Sequence, residues 1–262
     1  MKGRKPLYLI FTAVIPPKKS IIFLGTKPIG YKCLKSLIEN QDALNFQVAG
    51  VLTQKRKEFE KQSDLGQLAG EHQIPVFDDP SEMPKCDILY SVQYHKILRK
   101  EEIERARIIA VNLHMAPLPE YRGCNQFSFA IIDGMTEFGT SLHQIDPRID
   151  HGALLFEKRF PIPENCWVQD LYDLTEKASF ELFKESLRPL LNGDYPLIDQ
   201  KSLEASRGFS LHFRKEIQAL KQIDLNWPTE KIERHIRATS MPGFEPPFTS
   251  IGGQRIYFSP KP

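Results

Sequence analysis

The sequence predicts an α/β fold, in which a Rossmann-like, mainly parallel sheet with a mixed edge carries helices on both faces and is followed by a small C-terminal α+β lobe. Short apolar runs alternate with segments of helical periodicity through the first half of the 262-residue chain. These runs are continuous, as in strands that are buried on both faces of a parallel sheet. A hydrophobic fraction of 41% and a charged fraction of 26% are those of an ordinary globular protein with a substantial core.

The parallel strands follow one another along the chain. The first is expected over residues 20–25, where the apolar run SIIFLG ends in glycine. Further apolar runs predict strands over residues 46–53, 87–92 and 108–114. The segment 74–77 is an edge strand at best, because Pro75 cannot donate a hydrogen bond to a neighbouring strand.

Helices are predicted where apolar residues recur at helical spacing. The first begins at Pro28, which suits an initial helical turn, and the basic, polar residues 54–64 predict a loop. The other helices are predicted over residues 65–72, 95–107, 125–133, 167–191 and 229–239. Two further strands are predicted over residues 139–145 and 152–160, and the pair Gly252-Gly253 predicts a C-terminal hairpin.

We expect three parts: an N-terminal extension over residues 1–19, a large domain over residues 20–205 and a small lobe with a helix and a β-hairpin over residues 206–262. The extension has a basic start and an apolar run too short to span a bilayer, without a cleavage site after it.

The four cysteines stand singly, which indicates reduced thiols in a cytoplasmic protein and does not support a metal site. Because the net charge is only +2, we expect neither nucleic acid nor a membrane as partner.

Two polar side chains end the apolar strand 108–114. Asn112 and His114 lie two residues apart, so both project from the same face. The carboxyl ends of parallel strands are where open α/β sheets bind ligands, and polar groups on a buried strand need partners, which favours a functional role. Asp150, in the turn DPRIDHG, adds a carboxylate. Together the three offer a hydrogen-bond donor, a base and an orienting acid.

Other candidates have less support. The turn GTKPIG at residues 25–30 opens a helix but lacks the spacing of a P-loop or of a dinucleotide-binding motif, so an ordinary strand–helix turn is favoured. His143 and His151 could be recruited to a site, with His143 expected in the core or behind the catalytic groups. Cys124 is expected to be structural.

Three motifs form a specific set: the strand-end Asn-x-His, the turn PLPEYRG over residues 117–123 and the later Ile-Asp-x-Gly over residues 149–152. Together they resemble the formyltransferase family that uses 10-formyltetrahydrofolate, from about Ile21 to Ala238. The resemblance implies an N-formyltransferase with 10-formyltetrahydrofolate as co-substrate, no metal, and three catalytic residues, namely Asn112, His114 and Asp150.

The resemblance also implies two groups of binding residues. Folate is expected against the strand and loop that precede the catalytic strand and against the turn around the catalytic aspartate, at Tyr90, Val92, Tyr94, Ile97, Ile149 and Gly152. The second substrate is expected at the loop that follows the catalytic strand, at Tyr121, Arg122, Gly123, Asn125 and Gln126.

The acceptor class rests on longer stretches. NLHMAPLPEYRGCNQFSFAI, IDLNWPTEKIERHIRA and MPGFEPPF are similar to bacterial enzymes that formylate amino sugars carried on nucleotides. This similarity implies a nucleotide-linked amino deoxysugar of surface polysaccharide (lipopolysaccharide) biosynthesis as acceptor, and a homodimer through the C-terminal region. Two alternatives stay open: a methionyl-tRNA formyltransferase without the full C-terminal domain, and a non-catalytic binder of folate or nucleotide sugar.

Formyl transfer to an amine needs a neutral amine, a stabilised oxyanion and proton transfer between two nitrogens. Asn112 can donate to the formyl oxygen, and such a donor is typically worth about 3 kcal/mol. His114 can accept the proton of the amine, since histidine titrates close to neutral pH. Asp150 can orient His114 and favour its protonated form, or can act on the amine through a bridging water.

Overall fold

The computed structural model describes residues 17–54 and 64–259. The predicted extension 1–19 and loop 54–64 lie largely outside these residues, although Lys19 already belongs to the first strand. The elements follow in chain order as β1 (Lys19–Gly25), α1 (Pro28–Asn40), β2 (Phe46–Leu52), α2 (Leu65–Glu71), β3 (Val76–Phe77), β4 (Cys86–Val92), α3 (Lys100–Ile103), β5 (Ala106–His114), β6 (Arg122–Gly123), α4 (Gln126–Ile132), β7 (Glu137–Gln144), β8 (Leu154–Pro161), α5 (Val168–Asn192), α6 (Lys201–Arg207), β9 (Leu211–His212), α7 (Ile217–Lys221), α8 (Thr229–Thr239), β10 (Phe248–Ile251) and β11 (Gln254–Tyr257).

The described residues form a central seven-stranded sheet in the order β3-β2-β1-β4-β5-β7-β8. Strands β3, β2, β1, β4 and β5 are parallel, β7 pairs antiparallel with β5, and β8 pairs antiparallel with β7. The sheet order reverses direction between β1 and β4, which is where ligands bind in open α/β sheets. Strands β10 and β11 form a small antiparallel hairpin. The predicted fold class, with its mixed edge and its small C-terminal sheet, is confirmed.

Apolar side chains fill both faces of the central sheet. One face packs against α1, α2 and α5, through a cluster that includes Phe23, Tyr90 and Phe183. The other face has a smaller cluster around Leu24, Leu89 and Ala110, covered by the segments that precede and follow β4. A third cluster joins α4, α8 and the start of α5 to the edge strands. The second face is therefore covered more thinly.

The helix predicted over residues 95–107 is wrong. The structure has a single helical turn, α3, closed by a capping box between Arg99 and Glu102. From Ala106 onward the chain is a strand, because it pairs in parallel with β4 from Cys86. Pairing and burial in the sheet outweigh the local helical spacing. Residues 93–99 are left as a loop at the end of β4.

Several short elements were not predicted. Strand β6 pairs in parallel with β9, so residues 211–212 are hydrogen-bonded to the loop that follows β5. Helices α6 and α7 have seven and five residues, too few to give a clear periodic pattern. No helix within residues 17–54 and 64–259 combines the length and hydropathy that a membrane span requires.

Candidate active site

The end of β5 places Asn112 and His114 on the thinly covered face of the sheet. Val111 and Leu113 belong to the cluster under α1 and α5, whereas Ala110 belongs to the opposite cluster. Asn112 and His114 alternate with Val111 and Leu113 and therefore project to the opposite side. The Asn112 side chain is half-buried, and His114 is only 4% exposed.

His143 joins this pair from the neighbouring strand. It lies directly opposite Asn112 in the antiparallel register of β5 and β7. Asn112 Nδ2 and His143 Nε2 are 3.1 Å apart, and His143 Nδ1 lies 2.8 Å from the carbonyl oxygen of Gln144. A carbonyl only accepts, so His143 Nδ1 carries a proton and Nε2 faces the site.

Asp150 completes the group from the turn between β7 and β8. Its Oδ2 lies 3.6 Å from His114 Nδ1, and its Oδ1 lies 3.4 Å from His143 Nε2. The backbone N–H of Gly123 donates to Oδ2 over 2.9 Å. The carboxylate is thus set between two imidazoles and held by one backbone donor, and the three predicted residues converge as the sequence suggested.

The surroundings keep Asp150 ionised. Burial alone would raise the pKa of its carboxyl group, but His114, His143 and the Gly123 N–H outweigh burial and hold the pKa well below its usual range. A carboxylate that is ionised at every pH near neutrality acts as a fixed negative charge and as a hydrogen-bond acceptor, and not as a proton donor.

The hydrogen bonds of His114 decide which of its nitrogens is reactive. His114 Nε2 lies 2.7 Å from the carbonyl oxygen of Tyr121, so Nε2 carries a proton. The nitrogen that can accept a second proton is therefore Nδ1, which faces Asp150. A proton that arrives at Nδ1 is placed beside a negative charge, which stabilises the imidazolium form.

Buried hydroxyl groups hold the backbone beneath the site. Thr140 Oγ1 donates to the carbonyl oxygen of His114 over 2.9 Å, and Ser179 Oγ donates to Thr140 Oγ1 over 2.7 Å. Ser141 Oγ donates to Ala116 O and accepts from the N–H of Leu118. These bonds link β7 and α5 to the turn after β5 and restrict the position of His114.

The residues expected to contact folate occupy different environments. Tyr90 is fully buried between Phe23 and Phe183, so its side chain belongs to the core and only its backbone faces the strand end. Val92 is also buried, Tyr94 is half-buried and Ile97 is 69% exposed.

In the turn around Asp150, Ile149 is half-buried and Gly152 is buried. An ideal Cβ on Gly152 would lie 1.9 Å from the carbonyl oxygen of Gln144, so only glycine fits there.

Much of the loop expected to contact the second substrate is engaged inside the protein. The Tyr121 hydroxyl donates to Asp133 over 2.9 Å, and Arg122, only 5% exposed, donates to Gln200 and Glu204. Gly123 has a φ of 86° and pairs with β9. Asn125 donates to the backbone of Phe213, and Gln126 is 8% exposed at the start of α4. The structure therefore gives Tyr121 and Arg122 supporting positions within the loop.

The sequence reasoning left one residue beside Asp150 undecided and missed a second. His143 was expected in the core or behind the site, yet its Nε2 contacts both Asn112 and Asp150. Gln200 was not considered at all, and its side chain donates to the backbone of the Asp150 turn. A histidine inside the predicted strand 139–145 was a usable signal for His143. Gln200 had none, because its contacts span fifty residues of the chain.

Comparison with known proteins identifies the domain that holds this site. Residues 72–187 match the family model described as Formyl transferase. We call this segment the formyl transferase domain, after the family model that it matches. The formyl transferase domain begins at the end of α2 and stops within α5, so Asn112, His114, His143 and Asp150 all lie inside it.

Two curated relatives resemble the chain beyond the formyl transferase domain. The methionyl-tRNA formyltransferase of Clostridioides difficile (strain 630) is 29% identical over 191 residues, which are 67% of this chain and 60% of that protein. The GDP-perosamine N-formyltransferase of Brucella melitensis biotype 1 is 29% identical over 174 residues, which are 66% of this chain and 64% of that protein. The matched part spans less than two thirds of each relative.

A solved structure resembles nearly the whole chain. WlaRD, described as a sugar 3N-formyl transferase in the presence of dTDP and 5-N-formyl-THF, superposes with a TM-score of 0.76 at 23% identity. The superposition covers 92% of this chain and 85% of that chain. The fold of the formyl transferase domain and of the residues after it is therefore that of a known formyltransferase structure.

Proposed function

We propose that the protein transfers a formyl group from 10-formyltetrahydrofolate to the amino group of a nucleotide-linked amino deoxysugar. The observation that supports this most directly is the group formed by Asn112, His114 and Asp150 at the carboxyl end of β5, inside a formyl transferase domain. A relative described as a GDP-perosamine N-formyltransferase and a structural neighbour described as a sugar 3N-formyl transferase support the amino sugar as acceptor. The product would serve surface polysaccharide synthesis.

The residues at the site fit a folate. The segment after β4 presents half-buried Tyr94 and exposed Ile97, and Tyr94 packs against the same apolar cluster as Ile145, which precedes the Asp150 turn. Apolar surface of this kind suits a heterocyclic ring. We assign the folate to this surface, with Val92, Tyr94, Ile97, Ile149 and Gly152 as its contacts and with the Tyr90 side chain left in the core. Bound there, 10-formyltetrahydrofolate supplies the formyl group.

Asn112 is the group that stabilises negative charge. Its amide lies 3.1 Å from His143 Nε2, which fixes the orientation of the side chain. When His143 is neutral, Nε2 accepts one Asn112 N–H, and the second N–H stays available for the formyl oxygen. A fixed donor of this kind stabilises a developing oxyanion without reorganisation.

His114 and Asp150 handle the proton of the amine. His114 accepts it at Nδ1, because Nε2 is committed to the Tyr121 carbonyl. The 3.6 Å between Nδ1 and Asp150 Oδ2 exceeds a hydrogen bond, so an amine or a water that approaches from the side can contact both groups. The ionised carboxylate then stabilises the imidazolium form of His114.

The acceptor panel that tests this function uses purified protein, 10-formyltetrahydrofolate and dTDP-, UDP- and GDP-linked amino sugars. We expect release of tetrahydrofolate and a product heavier by one formyl group with at least one sugar, and no reaction when the amino group is replaced by hydroxyl. If none of these sugars is formylated, the proposed acceptor class is wrong.

Methionyl-tRNA is the second acceptor to test, because a methionyl-tRNA formyltransferase is 29% identical over 67% of this chain. The same assay with charged initiator tRNA distinguishes the two. Formylation of tRNA alone would replace the sugar in the proposal and would leave the roles of Asn112, His114 and Asp150 unchanged. Tight folate binding without turnover on any amine would favour a non-catalytic binder.

We also propose a cytoplasmic homodimer that associates through the C-terminal region, residues 206–262. Several apolar side chains of this region are exposed, among them Phe244 at 68%, Ile251 at 54% and Ile256 at 50%. Exposed apolar groups of this kind are typical of interaction surfaces. Light scattering on the purified protein tests the proposal, and a monomer at all accessible concentrations would contradict it.

A further inference from the structure

Gln200 is buried beneath the Asp150 turn and is fully engaged in hydrogen bonds. It is 0% exposed and immediately precedes α6. Its Nε2 donates to the carbonyl oxygen of Asp150 over 3.0 Å and to that of Gly152 over 2.7 Å. Its Oε1 accepts from Arg122 Nε over 3.0 Å. One side chain thus contacts the turn on both sides of residue 151 and the loop that follows β5.

Arg122 extends this contact to a third segment. It is 5% exposed, and its Nη2 donates to Glu204 Oε1 over 3.0 Å. The next residue, Gly123, donates its N–H to the carboxylate of Asp150. Gln200 therefore connects the backbone of the Asp150 turn to the loop whose N–H holds the Asp150 side chain.

The conformation of Asp150 explains why such a connection is needed. Its φ is 48°, in the left-handed region that is uncommon for residues other than glycine, although aspartate adopts it more readily than most. Gln200 supplies donors to the carbonyl oxygens of Asp150 and Gly152, so both carbonyls are satisfied inside the protein. Without these donors, the turn has less reason to keep this conformation.

We propose that Gln200 is a positioning residue, which holds the Asp150 turn so that the carboxylate stays between His114 and His143. This inference rests on the proposed formyl transfer, since it assigns the part that Gln200 plays in that reaction. The carboxylate faces His114 from β5 and His143 from β7, with His151 next to it in the chain. On the other side of Gln200, Arg122 forms an ion pair with Glu204. The opposite charges of this pair largely cancel.

The test replaces Gln200 by methionine, which has a similar volume and no hydrogen-bonding amide. Glu204→Gln is the matched control, because it alters the partner of Arg122 and leaves both bonds to the Asp150 turn. Thr239→Val is the stability control, because Thr239 is 2% exposed and bonds only within α8. We measure kcat, KM, thermal stability and the titration of the Asp150 carboxyl carbon by NMR.

We expect Gln200→Met to lower kcat by about a hundredfold, the effect of displacing a reacting group by roughly 1 Å, with a much smaller change in KM. The pKa of Asp150 should rise, because the carboxylate leaves the two imidazoles and the Gly123 N–H. Glu204→Gln should keep the wild-type titration of Asp150. Thr239→Val should lower thermal stability without changing kcat in the folded protein or the Asp150 titration.

The proposal is overturned if Gln200→Met titrates at Asp150 like the wild type, or if its loss of activity only matches its loss of folded protein. Should the methionine variant be insoluble, Gln200→Asn, which keeps the amide on a shorter side chain, must show the same shifts in smaller degree. The NMR titration needs no acceptor. If the wild type formylates nothing, the proposed function fails, and the Asp150 titration still decides whether Gln200 positions the turn.

Discussion

At the scale of single residues, the site depends on one charge placed between two imidazoles. Asp150 lies within 3.6 Å of His114 and 3.4 Å of His143, and both distances leave the contacts electrostatic more than hydrogen-bonded. The Gly123 N–H supplies the short, directional bond to the same carboxylate. The Gly123 N–H therefore fixes the position of the carboxylate between the two histidines.

Replacing His114 with alanine should lower kcat by roughly a hundredfold or more, because a positioned general base contributes at least that factor. The folded structure should persist, and KM for folate should change little. Steady-state kinetics with the acceptor found in the panel measure both values. Activity close to that of the wild type would mean that another group accepts the proton of the amine.

Replacing Asp150 with asparagine should change the pH dependence of stability. Because the pKa of Asp150 is lowered on folding, its charge stabilises the native state above the unfolded-state pKa of about 3.9, and this stabilisation is lost as pH falls through the lower folded-state pKa. Chemical denaturation of both proteins from about pH 7 down to about pH 2, which passes through the unfolded-state pKa towards the lower folded-state pKa, measures the effect. The difference in the free energy of unfolding should shrink towards the acidic end, and a constant difference would contradict the assignment.

At the scale of elements, the turn between β7 and β8 packs its backbone closely against the end of β7. Gly152 lies against the backbone of Gln144, where an ideal Cβ would be 1.9 Å from the carbonyl oxygen. The preceding Asp150 is left-handed, and Gln200 holds the carbonyl oxygens of both residues. The position of the Asp150 carboxylate is therefore a property of the whole turn and of its contact with the segment before α6.

Gly152→Ala should lower both thermal stability and kcat, because the added methyl group forces the turn away from β7 and moves Asp150. Gly70→Ala is the matched control: Gly70 lies in α2 with no atom within 4 Å of an added Cβ. That substitution should stabilise the protein by about 0.5–1 kcal/mol, the usual preference for alanine over glycine in a helix. Thermal melts and kinetics on both variants check this, and equal behaviour of the two would contradict the steric account.

At the scale of the whole molecule, the C-terminal residues are tied to the site. Strand β9 pairs with β6, Asn125 donates to the backbone of Phe213, and α8 packs beside α4. We keep the division into residues 20–205 and 206–262 as a proposal. Its two parts share hydrogen bonds at the loop that follows β5, so ligands that bind this loop should stabilise both.

Ligand-induced stabilisation should reveal the nucleotide. A ligand that binds only the folded protein stabilises it by about 2.7 kcal/mol at a hundred times its Kd. We expect 5-formyltetrahydrofolate, a stable analogue, to raise Tm, and one of dTDP, UDP and GDP to raise it further and additively. Adenosine diphosphate serves as the comparison nucleotide. If no nucleoside diphosphate shifts Tm in the presence of the folate, a nucleotide-linked acceptor loses its support.

How much of the fold followed from the sequence depended on the length of each pattern. Strands β1, β2, β4 and β5 and helix α5 have long apolar patterns and were predicted near their observed bounds. Residues 95–107 misled the prediction because helical spacing there competes with pairing to β4, which the sequence does not display. The short elements β6, β9 and α6 form only because distant segments meet.

The sequence alone determined which polar side chains stand at the site and which strand and turn hold them. Asn112 and His114 share a face through the two-residue period of a strand, and Asp150 follows in a turn that its neighbours specify locally. The tertiary structure decided which groups these side chains contact: His143 across the antiparallel register, the Tyr121 carbonyl at Nε2 of His114, and Gln200 beneath the Asp150 turn. Local order along a chain fixes which face a side chain takes, whereas its partners depend on packing between segments far apart in sequence.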